Sequence, residues 1–345
     1  MAYEINEAKD LVIKAGLELT KAGLVARTWG NISARISDTQ FVITPSGRGY
    51  ETLTRDDIVV VNIDDCSYEG NIKPSGEKGV HAAAYELRQE VQFVIHTHQN
   101  YASALSILGE DLEIEDAEYK DLLGEVIPCA DYGMYATSKL INAVKDKLEK
   151  YPMCPAILMN YHGALCVGCD YDEAFSVAYA LEKSSRKIYK KLCGKQILPE
   201  KREEQINYHT PVDVKRELMA MPGVESVIHT AEPYTVAVSQ FGETMYPYLD
   251  DLAQIAGTEV KCISATASVS EIVSAMNKRN AVFLKGFGAI CTGITKEEAQ
   301  AVAIVLEKAC MAAYLAHCRG SVKPISKYHA RKDRKGYIES YSKLK

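Results

Sequence analysis

The chain has 345 residues, 47% hydrophobic and 25% charged, with 40 Lys and Arg against 46 Asp and Glu for a net charge of −6. This is globular composition with core enough for about two domains, and the acidic balance disfavours sequence-independent nucleic-acid binding, which needs a basic surface. No apolar run approaches the ~18 residues of a membrane span, the first ten residues lack a signal-peptide pattern, and ten scattered cysteines read as thiols of a reducing cytoplasm. In chain order, Ile5, Ala8, Val12, Ala15 and Leu19 recur at helical spacing, with Gly23 beyond them. Ile32, Ala34 and Ile36 alternate, residues 37–40 turn, and Phe41-Val42-Ile43 returns as a β-hairpin. Asp57–Ile63 reads as a buried strand, Gly79–Gln89 as a helix, Val91–His98 as a strand and Ala136–Leu148 as a helix. Ala156–His162 reads as a strand that turns through Gly163, and Asp172–Leu192 as a long helix ended by Gly194.

An internal repeat organises the rest. Val94-Ile95-His96-Thr97 recurs as Val227-Ile228-His229-Thr230, and Tyr101, Ala104, Ser106, Gly109, Gly124 and Cys129 follow at the same offset as Tyr234, Ala237, Ser239, Gly242, Gly257 and Cys262. After one short deletion, Ala156, Gly163, Cys166, Val177, Leu181, Glu182 and Tyr189 reappear as Ala281, Gly288, Cys291, Val302, Leu306, Glu307 and Tyr314. A register held this long marks a duplicated structural unit. The expected layout is a first domain over 1–195, a linker over 196–211, a truncated second copy over 212–320, and a basic, tyrosine-bearing tail over 321–345.

His96 and His98, two apart on a strand, present both imidazoles to one side, roughly 6.5–7 Å apart at Cα. This suits two ligands of one metal ion; the alternative is a pair of buried polar histidines. His162 ends a later strand, and three imidazoles leave an open position of the kind found in catalytic zinc sites. Glu77, in Pro74-Ser75-Gly76-Glu77, is a fourth ligand, an acid/base group with a pKa raised by partial burial, or a helix-start glutamate favoured by the dipole. His81, one turn later, orients Glu77 or is a plain helix histidine. The repeat is a control: His96 persists as His229, but His98 becomes Ala231, His162 becomes Phe287, and Tyr208–Thr210 offer no carboxylate. The apolar pattern survived while the proposed ligands vanished together, as expected of one joint task. Cys166-Val167-Gly168-Cys169 has zinc-site spacing, but Cys166 recurs as Cys291 without a second pair and reads as a core residue. Gly30-Asn31-Ile32-Ser33 and Thr44-Pro45-Ser46-Gly47 are turns whose N–H groups can bind an anion, or simply turns.

The five motifs GNIS (Gly30–Ser33), TPSG (Thr44–Gly47), PSGE (Pro74–Glu77), HTH (His96–His98) and YHG (Tyr161–Gly163), in this order, resemble the class II aldolase/adducin family, of the fuculose-phosphate aldolase type, over roughly residues 1–195. The resemblance implies an α/β fold: a three-layer α/β/α domain with a mixed, mostly antiparallel sheet, here followed by a truncated second copy. It implies a divalent cation, Zn2+ or another such as Mn2+ or Co2+, on His96, His98 and His162, with Glu77 as catalytic acid/base. It implies substrate phosphate on Asn31, Ser46, Gly47, Ser75 and Gly76, although the family carries a second hydroxyl residue where this chain has Gly76, so one phosphate donor is lost. The family's catalytic tyrosine falls near Tyr119 without a tyrosine in register, and a tail tyrosine, Tyr337 or Tyr341, is expected to reach the site. The implied reaction is retro-aldol cleavage of a sugar or sugar phosphate through a metal-stabilised enediolate; the alternatives are an epimerase, dehydratase or decarboxylase on the same site, or a non-catalytic adducin-like module. Because family sites lie between subunits, the second copy is expected to stand where a neighbouring subunit would, and a homo-oligomer is a further expectation.

Overall fold

The computed structural model describes residues 2–25, 29–194, 205, 208 and 210–339. The chain divides into two units, residues 1–188 with 339–345, and residues 189–338.

In the first unit, helix α1 (Ile5–Lys21) buries Ala8, Val12, Ala15 and Leu19, the stripe read from the sequence, and Glu4 caps its first amides. The hairpin forms as strands β1 (Asn31–Arg35) and β2 (Gln40–Ile43), paired antiparallel. The expected strand at Asp57–Ile63 is shorter, because Arg55–Asp57 winds into a 3₁₀ turn whose Thr54 and Asp57 cap each other. The remainder is β3 (Val59–Asn62), which is half-buried rather than fully buried because it forms the edge of the sheet. Helix α2 (Lys78–Leu87) leads to β4 (Phe93–Thr97), which stops one residue before His98. Helix α3 (Asn100–Ser106), β5 (Leu112–Glu113), α4 (Ala117–Leu123), β6 (Val126–Ile127) and β7 (Cys129–Ala130) follow. Sequence periodicity does not register these segments because most are shorter than two helical turns. Helix α5 (Ser138–Lys150) starts two residues later than expected: Ala136 has φ +55° and Thr137 is the N-cap. Strands β8 (Ala156–Met159) and β9 (Gly163–Gly168) and helix α6 (Tyr171–Cys193) complete the pattern.

The sheet order is β3-β2-β1-β4-β9-β8-β7, antiparallel throughout except for the β7–β8 pair. Phe41, Ile43, Val61, Val94, Ile157, Leu165 and Val167 pack on one face under Val80 and Ala83 of α2 and Leu140 and Val144 of α5. His96 has the parity of Val94 and so looks toward the α2 side.

The second unit repeats half of this sheet. Helix α7 (Val212–Met219), β10 (Ser226–Thr230), α8 (Pro233–Gln240), α9 (Asp250–Ile255), β11 (Lys261–Ile263), α10 (Val269–Met276), β12 (Ala281–Leu284), β13 (Gly288–Gly293), α11 (Lys296–Arg319) and α12 (Lys327–Glu339) build a sheet of order β10-β13-β12-β11. Register carries over residue by residue: His96 opposite Leu165 becomes His229 opposite Ile290, and the parallel pair Cys129–Leu158 becomes Cys262–Phe283. Glu182 accepts from the Tyr101 and Ala102 amides at the start of α3, and Glu307 does the same for Tyr234 and Thr235 at α8. The tail residues 327–339 are helical. Helix α11 is long and apolar enough to cross a membrane by length and composition alone, but 72% of its most apolar 18-residue window is buried in the fold. Most of the expected linker, residues 196–204, 206, 207 and 209, lies outside the described residues, as does Tyr341.

Candidate functional site

Strand β1 lies between β2 and β4, with Asn31 opposite His96. The close approach requires Gly30: at φ +111°, an added Cβ would sit 2.8 Å from the His96 carbonyl oxygen. Beyond β8, the chain reverses through Tyr161, at φ +61°, and not through Gly163, where the sequence placed the turn. Gly163 serves by lacking a side chain, since a Cβ there would stand 2.3 Å from the Thr97 carbonyl oxygen and 3.2 Å from His96 Cε1. His162 is thereby drawn against β4.

Glu77, His96, His98 and His162 come together, all buried, with one potential ligand atom of each within 4.8 Å of the others. His96 Nε2 is 2.9 Å from His98 Nε2 and 3.1 Å from Glu77 Oε2, and His162 Nε2 is 2.8 Å from Glu77 Oε1. His96 Nδ1 donates to the Ala164 carbonyl at 2.9 Å, which leaves its Nε2 lone pair facing the cluster. Three imidazole nitrogens and a carboxylate form a donor set suited to zinc or a similar divalent cation, and their spacing is close to the ~3.3 Å separating neighbouring ligands of a tetrahedral zinc. The residues present therefore fit the group.

The Glu77 carboxyl departs from expectation. Burial pushes its pKa up, but His96 and His162 beside it, when they carry a proton, outweigh burial and hold it well below the ordinary range.

A buried chain of hydrogen bonds backs it. Asn31 Nδ2 donates to Glu77 Oε2 at 3.0 Å, and its Oδ1 accepts from His81 Nε2 at 2.5 Å. His81 Nδ1 then accepts from Ser33 Oγ at 2.7 Å, and Ser33 Oγ accepts from the Tyr85 hydroxyl at 2.8 Å. Donor directions follow from Asn31 Oδ1, which can only accept. His81 is thus no surface histidine: it is fully buried and positions Glu77 through Asn31. Burial, with His96 nearby, pushes its pKa down to about 3, so it is neutral.

The two glycine-bearing turns are clasped together by a Pro45–Pro74 bridge, with Ser46 N donating to Lys73 O at 2.9 Å and Ser75 N to Thr44 O at 3.0 Å. Ser46, Gly47, Ser75 and Gly76 therefore lie in two adjoining turns ahead of Glu77, whose N–H donates to Ser75 Oγ at 3.2 Å. The Asn31 amide is engaged with Glu77 and His81. Tyr119 lies on α4 with Lys187 Nζ 5.4 Å from its ring centre, and Tyr337 donates to Glu298 within the second unit at 3.4 Å. Tyr135, which the sequence reading did not single out, has its hydroxyl against Gly76, and Tyr132 packs edge-on to Tyr161 at 5.6 Å. Cys166 is buried on β9 and Cys169 is exposed, so their spacing does not form half a zinc site.

In the second unit the corresponding place is aromatic. His229 Nε2 donates to the Phe287 carbonyl at 2.7 Å, and the Tyr208 ring lies 4.5 Å from the His229 ring and 6.2 Å from that of Phe287.

The family described as Class II Aldolase and Adducin N-terminal domain matches residues 10–189 and 216–314. L-ribulose-5-phosphate 4-epimerase UlaF of Salmonella paratyphi B is 32% identical over 192 residues, 53% of this chain and 84% of that protein. L-fuculose phosphate aldolase of Escherichia coli K12 is 32% identical over 179 residues, 52% of this chain and 81% of that protein. A solved structure of L-fuculose 1-phosphate aldolase superposes with a TM-score of 0.50 at 28% identity, covering 56% of this chain and 91% of that one. With both segments matched and the duplicated register in place, this chain belongs to the class II aldolase/adducin family and carries a second, degenerate copy of its domain.

Proposed function

We propose that the protein is a divalent-metal-dependent carbon–carbon lyase that cleaves a ketose phosphate by a retro-aldol reaction. The observation that carries this reading is the convergence of three imidazole nitrogens and one carboxylate within 4.8 Å in a buried site. His96, His98 and His162 would hold the cation, zinc or another divalent ion, which when bound supplies Lewis-acid polarisation of the substrate's carbonyl and hydroxyl oxygens. The reacting carbon–carbon bond breaks as the Glu77 carboxylate takes the β-hydroxyl's proton and the electron pair of that bond moves toward the carbonyl. Glu77 then delivers a proton to the resulting enediolate carbon, and in the synthetic direction its carboxylate removes that proton. Asn31, oriented by His81, holds the carboxylate, and the two clasped turns face the substrate's phosphate with Ser46, Gly47 and Ser75.

The relationship to a 4-epimerase favours one second reading on the same residues: cleavage followed by re-addition to the other face of the aldehyde. Metal-loaded protein incubated with phosphorylated and free ketoses separates the two, since a lyase releases aldehyde and an epimerase returns a stereoisomer without it. Failure of both products across the panel would sink the enzymatic reading and leave the non-catalytic module. Ten free thiols support a place in the reducing cytoplasm.

A further inference from the structure

Gly76 carries no side chain between Ser75 and Glu77, and the structure holds a hydroxyl in the place one would take. A Cβ built on Gly76 would lie 2.4 Å from the Tyr135 hydroxyl oxygen, 2.9 Å from its Cζ and 3.3 Å from its Cε1. The phenol therefore fills the space that a side chain on residue 76 would take, between Ser75 and Glu77.

Its carrier loop is held firmly. Gly133 packs against the first turn of α5 so closely that a Cβ would meet Leu140 N and Cα at 2.4 Å. Thr137 Oγ1 donates to Met134 O at 2.6 Å and accepts from Leu140 N at 3.4 Å, while Ala136 is held at φ +55°. A non-glycine residue kept in that region implies that its surroundings determine it. The hydroxyl is thus pre-positioned by the first turn of a helix rather than by a free loop.

We propose that Tyr135 is a substrate-recognition residue, its phenol replacing the missing side chain of residue 76 as donor to a phosphomonoester oxygen. The inference rests on the retro-aldol reading for its substrate class, but not for its geometry. A phenol is a stronger donor than an aliphatic hydroxyl, and a bond to a charged oxygen is among the stronger ones a side chain makes. The glycine and the tyrosine are matched: with Tyr135 in this position, a side chain on residue 76 would have to displace the phenol.

The test uses the metal-loaded full chain and two probes, inorganic phosphate followed by phosphorus NMR and a turned-over ketose in its phosphorylated and free forms. Tyr135→Phe should weaken phosphate binding and raise KM for the phosphorylated ketose by about tenfold, the size of one hydrogen bond to a charged oxygen. Its kcat should stay within about twofold, and KM for the free sugar should not move. Gly76→Ser alone should lose phosphate affinity through collision with the phenol, and Gly76→Ser with Tyr135→Ala should regain it, because the serine then supplies the donor. Wild-type phosphate affinity in Tyr135→Phe, no phosphate binding by the wild type, or no recovery in the double variant would each overturn the proposal. If no ketose is turned over but phosphate binding follows this pattern, the lyase reading falls and the assignment of Tyr135 stands. If turnover is normal and phosphate binding ignores Tyr135, the reverse holds.

Discussion

Both oxygens of Glu77 are engaged, one by His96 and Asn31 and the other by His162. Glu77→Gln keeps this shape and can still coordinate through its amide oxygen, but it cannot carry a proton. It should retain its fold and most of its metal while losing turnover by at least ~100-fold, measured by circular dichroism, elemental analysis and initial rates. Near-normal turnover would remove Glu77 from the proton path. His81 makes a separate prediction. Its pKa falls from 6.5 to about 3 on folding, so the unfolded chain binds the proton more readily. Its contribution to stability is complete above pH 6.5 and is lost as pH falls from there toward about 3, at up to about 1.4 kcal/mol per pH unit. Urea unfolding between pH 7 and 4 should show this loss in the wild type and a flatter profile in His81→Gln; equal slopes would show that another group is responsible.

At the scale of elements, the site depends on how closely β1, β4 and β9 approach one another. The Thr97 carbonyl oxygen lies where a side chain on Gly163 would begin, and that oxygen belongs to backbone that cannot swing aside. Gly163→Ala should force β9 away from β4, moving His162 from His96. We expect a loss of about 1–3 kcal/mol in unfolding free energy, the usual cost of overpacking, together with reduced metal content. Denaturant titration and elemental analysis on the same preparation check both, and undiminished metal with full stability would show that the strands have slack. The same contact in the second unit, where a Cβ on Gly288 would meet Thr230 O at 2.1 Å, belongs to the sheet rather than to the chemistry.

For the whole molecule, duplication preserved a sheet and discarded a site. The second unit keeps strand register, helix caps and buried apolar positions, yet has Tyr208, His229 and Phe287 where the first has carboxylate and imidazoles. Purified protein should therefore bind one divalent ion per chain, and His98→Ala should bring that value close to zero. Two ions per chain, or unchanged content in the variant, would contradict this.

The sequence by itself determined the long helices, the hairpin, the repeat and the identity of the histidine and glutamate set. All but Glu77 are carried by local periodicity or by comparison of the chain with itself; Glu77, which on spacing alone reads as a helix-start glutamate, is carried by the motif resemblance. His96, His98 and His162 could be grouped because their counterparts disappear together in the second copy. Only tertiary structure decided the rest. Helix α2 brings His81 against Asn31, fifty residues earlier in the chain, so a histidine that reads equally well as surface became a buried positioning group. The Glu77 pKa went opposite to expectation because burial, visible in sequence, was outweighed by two imidazoles whose distance from it was not. Tyr119 and Tyr337 were chosen by their place along the chain, whereas Tyr135 reaches Gly76 across a loop of fixed shape. Periodicity reports which face of an element is buried, but contacts between side chains on different elements depend on how those elements pack, and chemistry acts through the contacts.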